Sequence, residues 1–446
     1  MYSRLRHVLN LGAIFSAKLG SIVVSVVFLP IFNKLFGAEG FGIITLIISL
    51  QTLLITLDLG MSILVGRDSA YEKNEKFYST LKSAEKLICF LYLIITILTV
   101  IFTLIAYDIE LAANNLMSCV LFFSLTLQNI YYSSLNGQQR YITNAISQLV
   151  ASFSRAIITL AIVYYIETSV TAFLLTQCFV SILNLVFIRL LVSKIYLGFD
   201  EKLSASFSEL KDIARRGREL MLYGIAGAAI MQLDKSLISI INGPEELGPY
   251  FLAFSFCMLP ISALATPIVQ FFQPKLLNSF SSTDELSMVK TCKHFSLALA
   301  FFVVLPSLVV YMFSYQIVSV WLGETDNVSL VSEYIKMMMP GIIVGGVGYI
   351  PVVFLLLLQD YRFQAKVSWI TCFVVLSLVA IFSYINRIDY ICYLYSVYFI
   401  ITTIICWART VNSITVKKYS YLCLRYSYVS FIMLAITFAM VYLSDI

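Results

Sequence analysis

Five polar residues recur at helical spacing inside an otherwise apolar stretch of the chain. Asn144, Gln148, Ser152, Arg155 and Thr159 are separated by four, four, three and four positions, which places all five on one face of a helix. A guanidinium flanked by amides and hydroxyls can bind an anion and hydrogen-bond the groups attached to it. The pattern therefore predicts a binding surface for a phosphate-bearing, sugar-like molecule.

Two shorter stripes also combine a lysine with polar neighbours at helical spacing. They comprise Lys18 with Ser21 and Ser25, and Lys235 with Gln232 and Ser239. A charge inside a bilayer costs about 2.5–3.5 kcal/mol, so such residues usually face a protein interior or a water-filled cavity. We expect one polar cavity that binds a diphosphate and is lined by Lys18, Arg155, Lys235, Gln148, Asn144, Ser152 and Gln232.

Two carboxylates accompany these cations and are candidates for carrying a coupled proton or cation. Asp58 lies in a neighbouring apolar run, and Asp234 directly precedes Lys235. Adjacent residues of a helix do not face each other, so we expect that Asp234 need not neutralise Lys235 and could pair with Lys18 or Arg155 instead. A structural ion pair between Lys18 and Asp58, or a purely structural role for all three cations, is the alternative interpretation.

The elements that must position these residues are membrane-spanning helices. The chain is 60% hydrophobic and 12% charged, with a mean hydropathy of +0.90, whereas soluble domains carry about twice that share of charge. A bilayer core about 30 Å thick requires about 20 apolar residues per helix. Twelve core spans are predicted, at 8–29, 42–65, 87–107, 115–136, 142–166, 170–192, 219–241, 250–273, 294–313, 333–358, 367–385 and 390–408. A further apolar run at 427–444 leaves a thirteenth span open.

An internal repeat divides these spans into two groups of six. The phrase that begins at Gly37 and ends at Gly42 returns, 206 residues later, between Gly243 and Gly248. A second pair, Arg140-Tyr141 and Arg362-Phe363, is 222 residues apart, which predicts a 16-residue insertion in the second half. Duplicated halves are a common architecture of secondary transporters.

The predicted domains follow from this repeat. They are an N-terminal six-helix bundle over 1–200, a cytoplasmic linker over 201–218 and a C-terminal six-helix bundle over 219–410. Residues 411–446 are predicted to form a cytoplasmic loop followed by the apolar run that leaves a thirteenth span open. Most of the 30 Lys and Arg residues fall on the side of the N-terminus, so the positive-inside rule makes the N-terminus cytoplasmic. The first apolar run is interpreted as a signal-anchor that is not cleaved.

Other motifs favour structural roles. The glycines of 341–346 lie inside a predicted span and indicate close packing or a kink, because no strand precedes them as a nucleotide motif requires. Gly224, Gly227 and Ala228 are interpreted as a packing surface, and kinks in the eighth span are predicted at Pro260, Pro267 and Pro274. The nine Cys have no metal-ligand spacing, and neither a metal, a cofactor nor enzymatic activity is predicted.

Four segments resemble one known family. They are 29–42, 57–60 followed by Arg67, 137–141, and 232–250. In their order and spacing they are similar to the Wzx O-antigen translocases, polysaccharide-transport flippases of the multidrug/oligosaccharidyl-lipid/polysaccharide exporter (MOP) superfamily. The resemblance implies an all-α membrane protein with the MATE-like fold, in which two six-helix bundles surround a central cleft.

The resemblance also implies a function. Such a protein flips an undecaprenyl-diphosphate-linked oligosaccharide, the O-antigen repeat unit, from the cytoplasmic to the periplasmic leaflet of a bacterial inner membrane, with ion coupling. In this family, charged residues that line the lumen are important for transport. The resemblance assigns that role to Lys18, Arg155, Asp234 and Lys235. The implied partners are the lipid-linked oligosaccharide, membrane lipids, an O-antigen polymerase and a chain-length regulator, and no nucleic acid.

Two other functions are left open. A MATE-type multidrug or cation antiporter would share the fold, but it would be expected to have a cavity richer in carboxylates. An O-antigen polymerase or membrane glycosyltransferase typically carries a large periplasmic loop. The longest outside loop predicted here, about 314–332, is short, which counts against this second alternative.

Overall fold

The structure, a computed structural model, is helical over nearly all of the chain that it describes, which is residues 2–56, 58, 61–71, 75–106, 109–195, 207–281, 284–323 and 327–444. A helix satisfies every backbone hydrogen bond within one segment, as an apolar environment requires. The helices are α1 (Tyr2–Thr56), α2 (Met61–Tyr71), α3 (Glu75–Ala106), α4 (Ile109–Gly137), α5 (Tyr141–Tyr165), α6 (Val170–Ile195), α7 (Phe207–Asn242), α8 (Pro244–Pro260), α9 (Thr266–Ser281), α10 (Glu285–Leu299), α11 (Leu305–Met312), α12 (Ser314–Leu322), α13 (Asn327–Leu357), α14 (Tyr361–Tyr384), α15 (Ile388–Val411) and α16 (Lys417–Ser444).

These helices confirm the all-α membrane class. Among the residues described, ten helices are long and apolar enough to cross a membrane. The run that left a thirteenth span open lies in α16. The helix count alone does not establish twelve core spans, and that number stays a prediction.

The repeated phrase marks the same turn in both halves. Gly37 interrupts α1 with φ 67° and ψ −173°, and Gly243 precedes α8 with φ 95° and ψ 161°. Both glycines thus combine a positive φ with an extended ψ, a region that is essentially restricted to glycine. The duplication predicted from these two glycines is therefore visible in the backbone.

The second repeated turn is real, but its predicted register is wrong by two residues. Gln139 and Gln359 both have positive φ, 59° and 55°. The amides of Arg140 and Asp360 donate to the carbonyls of Leu135 and Leu355, at 2.9 and 3.0 Å. The equivalent of Arg140 is therefore Asp360 and not Arg362, the offset is 220 residues, and the insertion shortens from 16 residues to 14.

The chain forms two compact units, Met1–Ser236 and Leu237–Ile446, whose boundary lies inside α7. In the first unit, α1 packs on α5, and α4 packs on α2, α3 and α6. In the second unit, α13 packs against α8, α12 and, most extensively, α15. The linker predicted over 201–218 lies before this boundary, and the predicted domain limits stay a prediction.

Small residues let α13 and α15 approach closely. A Cβ at Gly341 would lie 2.1 Å from the carbonyl oxygen of Ser396, and one at Gly348 would lie 2.6 Å from Oγ1 of Thr403. The Gly341 amide donates to Ser396 Oγ at 2.7 Å. The predicted close-packing role of this glycine cluster is confirmed.

Gly341→Ala is expected to lower the melting temperature of the purified protein. The new methyl group would collide with backbone atoms of α15, which cannot rotate away, and overpacking of this kind costs about 1–3 kcal/mol. The matched control is Gly224→Ala, because no atom of the described residues lies within 4 Å of the Cβ position at Gly224. The control should melt at or above the wild-type temperature, since alanine favours a helix by about 1 kcal/mol over glycine. Equal melting of the two variants would contradict the close approach.

Two further predictions concern the kinks of the eighth span and the outside loop at 314–332. The eighth span does depart from regular helix near its prolines, because a π-helical turn at Ile261–Ala265 separates α8 from α9. A second π-helical turn, at Ala300–Val304, separates α10 from α11. The outside loop predicted at 314–332 is wrong as a loop, because α12 and the first residues of α13 lie within it.

Candidate functional site

The polar stripe predicted between positions 144 and 159 lies on one continuous helix, α5. Both of its ends are buried and hydrogen-bonded. Asn144 Nδ2 donates to Asn136 Oδ1 at 2.6 Å, and Gln148 Nε2 donates to Asn144 Oδ1 at 3.1 Å. At the other end, Thr159 Oγ1 accepts from Gln177 Nε2 at 3.1 Å. The ends of the stripe therefore join α5 to α4 and α6.

The remaining face of α5 is apolar and exposed. Its exposed residues recur every three or four positions and include Ile142, Ile146, Val150, Phe153 and Ile157. At 3.6 residues per turn this face is opposite the polar stripe. A helix with its apolar side outward and its polar side toward neighbouring helices is expected where the lining of an internal polar space meets lipid.

Arg155 lies between the two bonded ends and is half-buried. Its Nε donates to the Ala151 carbonyl one turn earlier, at 3.2 Å. Within the described parts of the chain, no carboxylate lies at ion-pair distance from its guanidinium. Arg155 thus keeps a formal charge and the two Nη donor groups for a ligand.

Three polar residues on the helices beside α5 were not foreseen from the sequence. Asn184 Nδ2 donates to Ser154 Oγ at 3.2 Å, Gln128 Nε2 donates to the Ser181 carbonyl at 2.9 Å, and Tyr132 is within electrostatic range of Arg155. These residues lie on α4 and α6, the helices beside α5. Single amides inside apolar spans were the signal that could have identified Gln128 and Asn184.

Asp234 and Lys235 contradict the expectation that adjacent residues would not pair. Lys235 Nζ lies 3.0 and 3.1 Å from the two carboxylate oxygens of Asp234, and it also donates to the Met231 carbonyl at 2.5 Å. The relative exposures of Asp234 and Lys235 are 0% and 1%. Lys235 can reach its neighbour because its flexible four-carbon stem bends back along the helix. Closing the pair avoids two separately buried charges.

For the remaining predicted site residues the structure gives either the burial of the side chain alone or no side-chain position. Gln232 is half-buried on α7. Lys18 belongs to α1, but its side chain lies outside the described residues, as do those of Ser21 and Ser25. Ser152 is half-buried on α5 between Gln148 and Arg155.

A shared chamber for Lys18, Arg155 and Lys235 stays a prediction, because the Lys18 side chain lies outside the described residues. Gly224 and Gly227 differ from their prediction within the described part of the chain, where no atom lies within 4 Å of their Cβ positions.

Asp58 is buried next to the start of α2. One of its carboxylate oxygens accepts from the Ser62 amide at 2.9 Å, and its carbonyl accepts from the Met61 amide at 3.0 Å. Carboxylates at this position bind free amides and favour the helix dipole. This geometry gives Asp58 a capping role, and its role in ion coupling stays a prediction.

A carboxylate on α3, Glu85, was missed by the sequence reasoning. The Tyr131 hydroxyl donates to Glu85 Oε1 at 2.7 Å. Lys82 Nζ and Arg189 Nη2 lie 3.2 and 3.9 Å from Oε2. Residues from three helices thus contact one carboxylate. No spacing pattern within a single helix predicts this cluster.

The chain is similar in sequence to one protein family and to a protein of known name. Residues 8–274 match the family described as "Polysaccharide biosynthesis protein". A Shigella flexneri protein whose name gives it as a candidate O-antigen transporter is 23% identical over 313 residues, which cover 66% of this chain and 71% of that protein.

Several solved structures share the fold. The lipid II flippase MurJ in an inward closed conformation matches with a TM-score of 0.74 and 14% identity, over 98% of this chain and 93% of that one. A Vibrio cholerae MATE transporter matches with a TM-score of 0.66 and 13% identity, over 96% and 98%. A MOP superfamily transporter from Pyrococcus furiosus matches with a TM-score of 0.60 and 16% identity, over 93% and 96%. The fold is that of MOP superfamily transporters.

Proposed function

Since the chain belongs to the polysaccharide biosynthesis protein family, we propose that it is a flippase for lipid-linked oligosaccharides. Its substrate would be an undecaprenyl-diphosphate-linked O-antigen repeat unit, moved from the cytoplasmic to the periplasmic leaflet of a bacterial inner membrane. The name of the Shigella flexneri relative and the fold shared with a lipid II flippase support this class of substrate. The observation that carries the proposal is the guanidinium of Arg155 on the polar face of α5, which no carboxylate of the described residues neutralises.

Arg155 would bind the diphosphate. A guanidinium presents its donors in a planar fork that matches two phosphate oxygens at once. The Nε bond to the Ala151 carbonyl orients the group and leaves its two Nη nitrogens to bind phosphate. Because no described carboxylate neutralises this cation, an incoming anion meets its full charge. A cationic drug would be repelled here, which favours the flippase over a multidrug antiporter.

The glycan would be bound by the polar residues that flank Arg155. Ser152 is half-exposed beside it, and Gln148 uses its Nε2 on Asn144, which leaves its Oε1 as an acceptor. Hydroxyls and amides of this kind hydrogen-bond sugar hydroxyls without demanding one sugar identity. We propose that Asn144, bound on both sides, positions Gln148 and does not itself contact substrate.

Ion coupling would run through Asp234. In the closed pair Lys235 is neutralised and buried. A proton taken up by Asp234 removes the negative charge that lies 3.0 Å from the buried Lys235 ammonium, and weakening a buried ion pair in this way is costly. The arrival of an anionic head group would offset that cost, so uptake of the proton and binding of substrate would favour each other. Asp58 is the less suitable carrier because it caps α2.

A deletion strain tests this function. Lipid-linked oligosaccharides would be extracted after labelling with a reagent that reaches only the outer leaflet. The proposal expects complete repeat units to accumulate beyond the reach of the label. Single labelled units on the cell surface would instead indicate a polymerase, and normal surface polysaccharide with increased drug sensitivity would indicate a multidrug exporter. The O-antigen polymerase and chain-length regulator are the proposed downstream partners.

A further inference from the structure

We propose that α10 and α16 form a binding site for the head group of an anionic phospholipid. The site lies within the second unit, where the first turns of these two helices meet. It is separate from the polar face of α5, and nothing in the proposed translocation requires it.

Three contacts join the two helices at this level. Lys418 forms an ion pair with Glu285. The Cys423 thiol donates to the Cys292 carbonyl at 3.9 Å, and Lys293 Nζ lies 5.8 Å from the ring centroid of Tyr426. The contacts advance along both helices together, so α10 and α16 run parallel and begin on the same side of the membrane. By the charge asymmetry of the chain, that side is the proposed cytoplasmic side.

The first three turns of α10 and α16 carry an excess of positive charge. Their basic residues are Lys290, Lys293, Lys417, Lys418 and Arg425, and the acidic residues are Glu285 and Asp284, which directly precedes α10. The carboxylate of Asp284 is engaged by the Ser287 amide at 3.0 Å as the cap of α10, and Glu285 is paired with Lys418. No described carboxylate lies at ion-pair distance from Lys290, Lys293 or Arg425.

The helix ends increase this excess. Both helices begin here, and each N-terminal end carries the positive end of a helix dipole. Cations are stabilising near helix C-termini and not near N-termini. Lys417 and Lys418 lie in the first turn of α16, where an external anion would offset their unfavourable interaction with the helix dipole.

The exposed face of α16 indicates which anion this is. Along the helix, the exposed residues run from Lys418 and Tyr421 through Arg425 and Tyr428 to Ile432. Charged and aromatic residues thus alternate first and Ile432 follows them, as the head group of a phospholipid precedes its acyl chains. Tyr favours this interfacial level, and basic pockets between membrane helices bind anionic head groups. A free phosphate ion would leave the apolar part of the face unmatched.

Native mass spectrometry of the full-length protein tests this site. The protein would be titrated in neutral detergent with phosphatidylglycerol, phosphatidylcholine or inorganic phosphate. The variant is Lys290→Gln/Lys293→Gln/Arg425→Gln. The matched control, Lys86→Gln/Lys194→Gln/Lys366→Gln, removes three exposed charges elsewhere. We expect wild type and control to bind phosphatidylglycerol about a hundredfold more tightly than the variant does, since the variant lacks three basic residues that would each attract the anionic head group.

Binding should also be selective for the lipid. Phosphatidylcholine should bind the wild type and the variant equally, and inorganic phosphate should not displace phosphatidylglycerol. Equal affinity of the wild type and the triple variant for phosphatidylglycerol would overturn the proposal. Displacement by inorganic phosphate would also overturn it, because the site would then recognise free phosphate. If the variant fails to fold, Lys293→Gln alone carries the test, with a smaller loss expected.

Discussion

Arg155→Ala is expected to abolish surface polysaccharide while the protein stays in the membrane at its normal level. The guanidinium has no carboxylate partner among the described residues, so its removal leaves no buried acid uncompensated and should not unfold the protein. Losing one charge-assisted hydrogen bond costs about 1.5–3 kcal/mol, which corresponds to about a 10- to 150-fold loss in binding. Polysaccharide on intact cells and protein in membrane fractions would both be quantified.

The matched control for this change is Arg140→Ala. Arg140 is an exposed arginine that directly precedes the same helix, and its replacement should leave surface polysaccharide near the wild-type amount. Arg155→Lys keeps the charge but loses the planar fork, so partial activity is expected. Full activity of Arg155→Ala would remove this residue from the mechanism.

Asp234→Ala is expected to have the largest effect on stability. It leaves Lys235, which is 1% exposed, without its carboxylate. Removing one partner of a buried ion pair typically costs about 3–5 kcal/mol. The expected result is a strongly lowered melting temperature of the purified protein and little protein in the membrane. Lys235→Met should cost less, because a lone carboxyl group can become neutral by taking up a proton.

The double variant Asp234→Leu/Lys235→Met separates structure from function. It removes both charges and fills the space with apolar side chains, which is often neutral or stabilising. We expect folding to be restored and transport to remain absent, because proton uptake at position 234 is then impossible. A folded, fully active double variant would show that the pair is purely structural. Asp234→Ala melting at the wild-type temperature would contradict the buried pair itself.

Features that depend on local sequence were predicted well. The glycines of the repeated phrase require a backbone conformation that other residues avoid, so Gly37 and Gly243 identified their turn correctly. The glycines of α13 likewise predicted the close contact between α13 and α15. The lengths of the apolar runs predicted the membrane-spanning helices, because the thickness of the bilayer determines how long such a helix must be.

Other features depend on conformation or on distant residues. The second turn was aligned by its arginines, whereas the backbone aligns Gln139 with Gln359. The Asp234–Lys235 pair was missed because the rule for adjacent residues ignores how far a lysine can bend back. Glu85 receives Tyr131 from another helix, 46 positions away, and no periodicity within one helix reports such a contact.

Translocation in proteoliposomes tests the central claim most directly. Purified protein would be reconstituted with fluorescently labelled undecaprenyl-diphosphate oligosaccharide, and a membrane-impermeant quencher would follow its movement between leaflets. Wild-type protein and Arg140→Ala should move the lipid across the bilayer, and Arg155→Ala should leave it at the rate of protein-free vesicles. Movement at equal rates with wild type and Arg155→Ala, or no movement with the wild type under any ion gradient, would contradict the account.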